Sequence, residues 1–248
     1  MEISLAPEVI VTIGGFPITN TFLMTLIISL IIMAGSFLLQ KKVRLIPRGM
    51  QNFMEWVLEG LLDLVDSVTG NRQQTRQFFP LVATIFIFVL LSNWIEIVPG
   101  LGTVGIKHFH EGKEGITPFI RSNSADLNMT LALSLIVVAM VQFMGITALG
   151  IKKYSGRFLV SPFRKPYLVG TFVGLLEIIS EFAKIISFSF RLFGNIFAGE
   201  VLLTVALTLV PYFLPLPFLF LEIFVGFIQA LVFAMLTLVF MKMATESH

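Results

Sequence analysis

The longest apolar run of the chain, roughly Leu168 to Val210, holds no proline and carries an arginine, Arg191, near its middle. As one helix its about 43 residues would reach roughly 64 Å at about 1.5 Å per residue. The hydrocarbon core of a bilayer is only about 30 Å thick. A straight perpendicular span is therefore excluded: either two helices occupy this stretch, or one long helix crosses at a steep tilt. Gly194 and Gly199 offer a bend, and Pro211, Pro215 and Pro217 force a turn after it. The last apolar segment, about Phe218 to Met243, then returns as the second arm of a tilted, membrane-embedded hairpin.

The rest of the chain agrees with a membrane setting. Of its 248 residues 56% are hydrophobic and 13% charged, about half the charge of an ordinary soluble domain. Several runs reach the length of a transmembrane helix, and none shows the ten-residue alternation of barrel strands. The expected class is an all-α polytopic membrane protein, a single membrane domain over 1–248 with about five to six hydrophobic helices and one amphipathic interfacial helix. The net charge of +2 gives no sign of nucleic-acid binding. With no cysteine there is no disulfide or thiolate metal site, and no cofactor is expected. Glu2 and Glu8 near the start, with no positive n-region, argue against a cleaved signal peptide.

In chain order, a first span covers 18–39 and stops at Lys41-Lys42-Val43-Arg44. That cluster, with Arg48, Arg72 and Arg76, puts the following segment on the cytoplasmic side and the amino terminus outside. Over 47–68, Phe53, Val57, Leu61 and Val65 share one face while Asn52, Glu55, Glu59 and Asp66 fill the other. This is an amphipathic helix, lying at the interface against the bundle or serving as a docking site for another subunit. A second span, 78–98, ends near Asn93, Trp94 and Glu96, and an external Gly/Pro-containing polar loop follows over 99–124. Its His108-x-His110-Glu111 lacks further ligands, so no metal site is expected. A third span, 126–150, starts at Asp126, which either caps the helix or lines an aqueous vestibule. Lys152, Lys153, Arg157, Arg164 and Lys165 make 151–166 a second basic cytoplasmic loop, ahead of the long helix 168–210, the proline turn 211–217 and the return helix 218–243, whose end is cytoplasmic.

A charge at bilayer depth is costly and is by default a functional candidate. At about 100° per residue, Glu177, Lys184, Ser187 and Asn195 all fall within roughly 40° of Arg191. Such a stripe faces something polar rather than lipid. Glu200 lies on the opposite side and needs a partner or water. On the return helix Glu222 and Gln229, seven apart, share a face, so the two arms present polar groups to each other or to a common water-filled path. A structural alternative pairs Arg191 with Glu177 or Glu181, and Glu181 with Lys184.

The run Ser189-Phe190-Arg191-Leu192-Phe193-Gly194-Asn195-Ile196-Phe197-Ala198-Gly199-Glu200 resembles the signature of subunit a of F-type ATP synthases. Ser124-Ala125-Asp126-Leu127-Asn128, Glu177 fourteen residues before the arginine, Gln229-Ala230 with Phe233, and Met243-Ala244-Thr245-Glu246 extend the likeness. It covers most of the chain from about Pro47 and is strongest from Leu175 onward. The resemblance implies a stator element that packs its tilted hairpin against a rotating ring of c subunits, each with one mid-membrane carboxyl. Two offset aqueous half-channels meet that ring, and b-type stalk subunits and the soluble catalytic sector complete the complex. Arg191 then attracts the ring carboxylate and blocks direct leakage. Glu200 and Glu222 match the outer half-channel, Asn195 and Gln229 flank the arginine, and Glu177 matches the cytoplasmic exit. Ser187, Lys184 and Asp126 are possible half-channel lining residues. Many members pair a carboxylate with a histidine where this chain has Glu200 and Glu222, and two neighbouring carboxylates would push one proton affinity upward.

Other classes fit less well. A secondary ion-coupled transporter would show inverted repeats and helices broken at mid-membrane. An intramembrane enzyme would show a motif such as His-Glu-x-x-His or Gly-x-Ser-x-Gly. The chain has no catalytic site of its own, and any link to ATP comes through partners. Its membrane is a bacterial inner membrane or, alternatively, that of an organelle which encodes it. Protons or sodium ions are the coupling species; ring ligands choose between them.

Overall fold

A computed structural model describes residues 7–98, 105–110, 113–119, 121–158, 169–210 and 213–246. Five of its helices are long and apolar enough to cross a membrane. They are α1 (Asn20–Lys42), α3 (Arg72–Trp94), α4 (Leu127–Leu149), α6 (Val169–Leu209) and α7 (Pro215–Thr245). Two further helices, α2 (Met50–Thr69) and α5 (Ile151–Phe158), are shorter or more polar. The chain is an all-α polytopic membrane protein, and its only strands among the described residues form two short hairpins.

Helix boundaries follow local chemistry. Thr19, Asn71 and Asp126 cap α1, α3 and α4 by accepting a backbone N–H in the first turn. Helix α2 stops at Gly70, whose φ of 65° is a left-handed conformation that glycine adopts without strain. Pro215 opens α7, where a missing N–H costs nothing.

The 41 residues of α6 form one uninterrupted helix, about 61 Å long. Neither Gly194 nor Gly199 breaks it. A span of that length fits the hydrocarbon core only when tilted. α7 packs along α3, α4 and α6 and is the axis of the bundle. Phe78, Val82, Val89, Phe188, Leu192, Phe233, Leu238 and Met241 build the core where these helices meet. Phe188 meets Phe233 and Phe240 edge-on, at centroid separations of 4.8 and 5.5 Å. Gly226 lets α3 dock closely: Asn93 Nδ2 donates to the Gly226 carbonyl and Trp94 Nε1 to that of Ile223, each at 3.0 Å.

Several segments differ from the sequence expectation. The stretch 99–124, expected as an external polar loop, contains β3 (Gly105–His110) paired antiparallel with β4 (Lys113–Pro118), and a 3₁₀ turn at Asn123–Ala125. Upstream of α1, β1 (Val9–Ile13) and β2 (Phe16–Thr19) form another hairpin through Gly14 and Gly15, both at positive φ. The basic loop over 151–166 begins with α5, which folds back so that Tyr154 is buried and donates to Gln142. The final helix starts at Pro215 rather than 218, because prolines fit its first turn. Helix α2 is amphipathic, yet only its second half is covered, with Leu61 and Val65 in the core while Met50, Phe53 and Trp56 stay exposed. Glu2, Glu111, Arg164, Lys165, Leu168 and Pro211 lie outside the described residues.

Candidate functional site

Arg191 stands on the outward side of α6. It is exposed, and its Nη2 donates to Ser187 Oγ one turn earlier at 3.2 Å. Among the described residues no carboxylate forms an ion pair with it. The pairing of Arg191 with Glu177 or Glu181 considered from sequence does not form, whereas that of Glu181 with Lys184 does. Glu181 and Glu177 lie ten and fourteen residues away on a continuous helix, about 15 and 21 Å along its axis. Glu181 instead pairs with Lys184 at 2.6 Å, and the Lys184 ammonium sits 4.8 Å from the Phe240 ring centroid. Glu177 is half-buried farther toward the start of α6.

The surroundings of Arg191 are small. Ser180, Ser187, Gly194 and Ala198 fall on its side of the helix and are all exposed, and among the described residues nothing lies within 4 Å of where a Gly194 Cβ would be. Such a stripe lets another backbone approach closely.

Asn195, also exposed, reaches across the hairpin: its Nδ2 donates to Gln229 Oε1 at 2.8 Å. Gln229 is buried in α7, and its Nε2 has no partner among the described residues. The two arms thus present their polar groups to each other at this level.

One turn farther along α6 the opposite face carries Glu200. Its Oε2 accepts from Arg121 Nη2 at 3.0 Å and Arg121 Nε at 3.3 Å. Arg121 is only 7% exposed. Glu222 of α7, 8% exposed, lays its carboxyl against Gly199, with Oε1 3.1 Å from the position a Gly199 Cβ would take. Gly199 is thus the notch for Glu222 rather than a bend. The two carboxyls therefore belong to one site, floored by α6 and α7.

Asp126 holds a different position. It caps α4 by accepting from the Asn128 N–H at 2.9 Å, and it accepts from Thr21 Oγ1 at 2.8 Å. With Ser122 Oγ donating to the Ser92 carbonyl and Asn123 Nδ2 to Thr25 Oγ1, it ties the segment before α4 to α1 and α3. Thr130 and Ser189 join α4 to α6 at 3.0 Å.

Arg191 is thus exposed on one face of α6, and the opposite face carries the half-buried Glu200 beside the buried Glu222. The model of the ATP synthase A chain matches residues 21–242. The chain belongs to the ATP synthase A chain family. It is 38% identical to ATP synthase subunit a of Campylobacter jejuni over 225 residues, 90% of this chain and 89% of that protein. It is 33% identical to ATP synthase subunit a of Moorella thermoacetica over 243 residues, 98% of each. With Campylobacter concisus ATP synthase subunit a the identity is 35% over 216 residues, 87% and 85% of the two chains. The chain is accordingly a membrane-sector subunit of an F-type ATP synthase and an integral membrane protein.

Arg121 is the residue beside Glu200 and Glu222 that the sequence does not announce. It sits in a short polar stretch with no periodicity, and its one signal is position, five residues before the Asp126 cap.

Proposed function

We propose that the chain is the ion-translocating stator subunit, that it forms two offset half-channels, and that Arg191 meets the mid-membrane carboxylate of each passing c subunit. The observation that supports this most is the exposure of Arg191 among small residues on the outer side of a tilted apolar helix. An arginine there is effectively always charged, and a cation at bilayer depth without a counter-charge is costly. A ring carboxylate supplies the counter-charge, and the small neighbours admit the helix that bears it.

Coupling then follows from electrostatics. A deprotonated ring carboxyl is held at Arg191 and cannot enter lipid; a protonated one leaves and travels with the ring. The fixed positive charge separates the half-channels and opposes direct leakage. Glu200 and Glu222 serve the outer half-channel, Glu177 the cytoplasmic exit, with Lys184, Ser187 and Asp126 as possible lining residues. Asn195 and Gln229 hold the hairpin beside the arginine and offer a polar path. The b-type stalk keeps the subunit from turning with the ring, and torque reaches the soluble sector through partners. Basic residues around α2 and α5 favour a cytoplasmic face there, with the amino terminus outside and the carboxyl terminus inside a bacterial inner membrane.

The chain has no cysteine, so a single introduced thiol reports proximity cleanly. Ala198→Cys is expected to form a disulfide with a cysteine placed one turn from the ring carboxyl. Cysteine at buried Thr237 of α7 is expected to form none. Cross-linking at Thr237 but not at Ala198 would place the ring on another face and defeat the proposal.

A further inference from the structure

The two carboxyls of the outer site are not equivalent. Glu200 is ion-paired through two nitrogens of Arg121, whereas Glu222 has no hydrogen-bond or ion-pair partner among the described residues. Arg121 is also fixed from behind, because its neighbours Ser122 and Asn123 are bonded to α3 and α1. A guanidinium held this way cancels one carboxylate permanently. A buried carboxyl without a counter-charge is costly when ionised, and binding a proton removes that cost.

We propose that Arg121 is the positioning residue of the outer half-channel: it holds Glu200 as a fixed, charge-compensated carboxylate, and the translocated proton rides on Glu222. The proposal rests on the stator reading above. The step is a plain proton transfer. In the direction of synthesis, hydronium in the half-channel gives a proton to the Glu222 carboxylate and leaves water, and the resulting acid gives the proton to the ring carboxylate. ATP-driven pumping runs the same transfers in reverse, and only O–H bonds form and break. Gly199 supplies the notch in which Glu222 sits, so the acceptor is placed by packing rather than by a salt bridge.

The test is ATP-driven proton uptake per assembled complex in vesicles, because a buried ion pair responds differently to loss of one partner and loss of both. Glu222→Gln is expected to lower uptake more than tenfold. Arg121→Gln is expected to lower it comparably, since an uncompensated Glu200 then competes for the proton. The double variant Arg121→Gln with Glu200→Gln is expected to recover at least fivefold over Arg121→Gln alone and to restore the parental pH profile of uptake, which Arg121→Gln is expected to shift; a purely structural Arg121 would leave that profile unmoved. Should Arg121→Gln fail to assemble, the double variant is compared with Glu200→Gln, where removing the stranded cation is expected to help. A double variant no better than its comparator, or a Glu222→Gln complex that pumps normally, overturns the proposal. In either case loss of pumping in Arg191→Ala leaves the stator reading intact, whereas normal pumping there removes the reading itself.

Discussion

Asn195 and Gln229, 34 positions apart in sequence, are joined by a 2.8 Å hydrogen bond across the two arms of the hairpin, one turn from Arg191. This bond fixes the rotation of α6 about its own axis relative to α7, and hence the direction in which the arginine points. Helices in lipid have little hydrophobic drive to associate, so polar cross-bridges and small-residue contacts set their rotation.

Removing one partner should cost more than removing both. With Asn195→Leu, the buried Gln229 carbonyl loses its donor, a penalty of about 1–3 kcal/mol. With Asn195→Leu and Gln229→Leu together, no stranded amide remains. Thermal unfolding of the complex in detergent checks this: the single variant should melt at lower temperature than the double.

Gly226 controls the docking of α3 on α7. A Cβ there would stand 3.1 Å from Asn93 Cβ and 3.4 Å from Trp94 Cδ1. Gly226→Val should destabilise the subunit by about 1–3 kcal/mol through overpacking and break the Asn93 and Trp94 bonds to the α7 backbone. Gly35→Leu is the control, since among the described residues nothing lies within 4 Å of a Gly35 Cβ, and its melting temperature should match that of the parent. Equal melting of the two variants would refute the close-approach account.

Most of the helical frame was legible in the sequence because apolar length alone marks a span. For α6 the sequence left two helices or one long one open, and packing against α4 and α7 goes with a single helix of 41 residues. What escaped was set by contacts between distant segments. β3 and β4 carry no apolar alternation, so Gly105–His110 and Lys113–Pro118 read as a polar loop. The first hairpin did have a signal, Gly14-Gly15 between short β-branched runs, of the kind that permits a two-residue turn. Arg121 was invisible as a partner for Glu200 because 79 residues separate them. Trp94 shows the same limit: its indole N–H donates to the Ile223 carbonyl of α7, 129 residues away.

The role of Arg191 is tested most directly by ATP-driven proton pumping, with passive proton leak measured in parallel, in vesicles carrying the assembled complex with Arg191→Ala. The account predicts pumping reduced by more than a hundredfold, with any change in leak appearing only when the complex is assembled. Pumping at the parental rate without the arginine would contradict it, and would return Arg191 to a structural role on the outer face of α6.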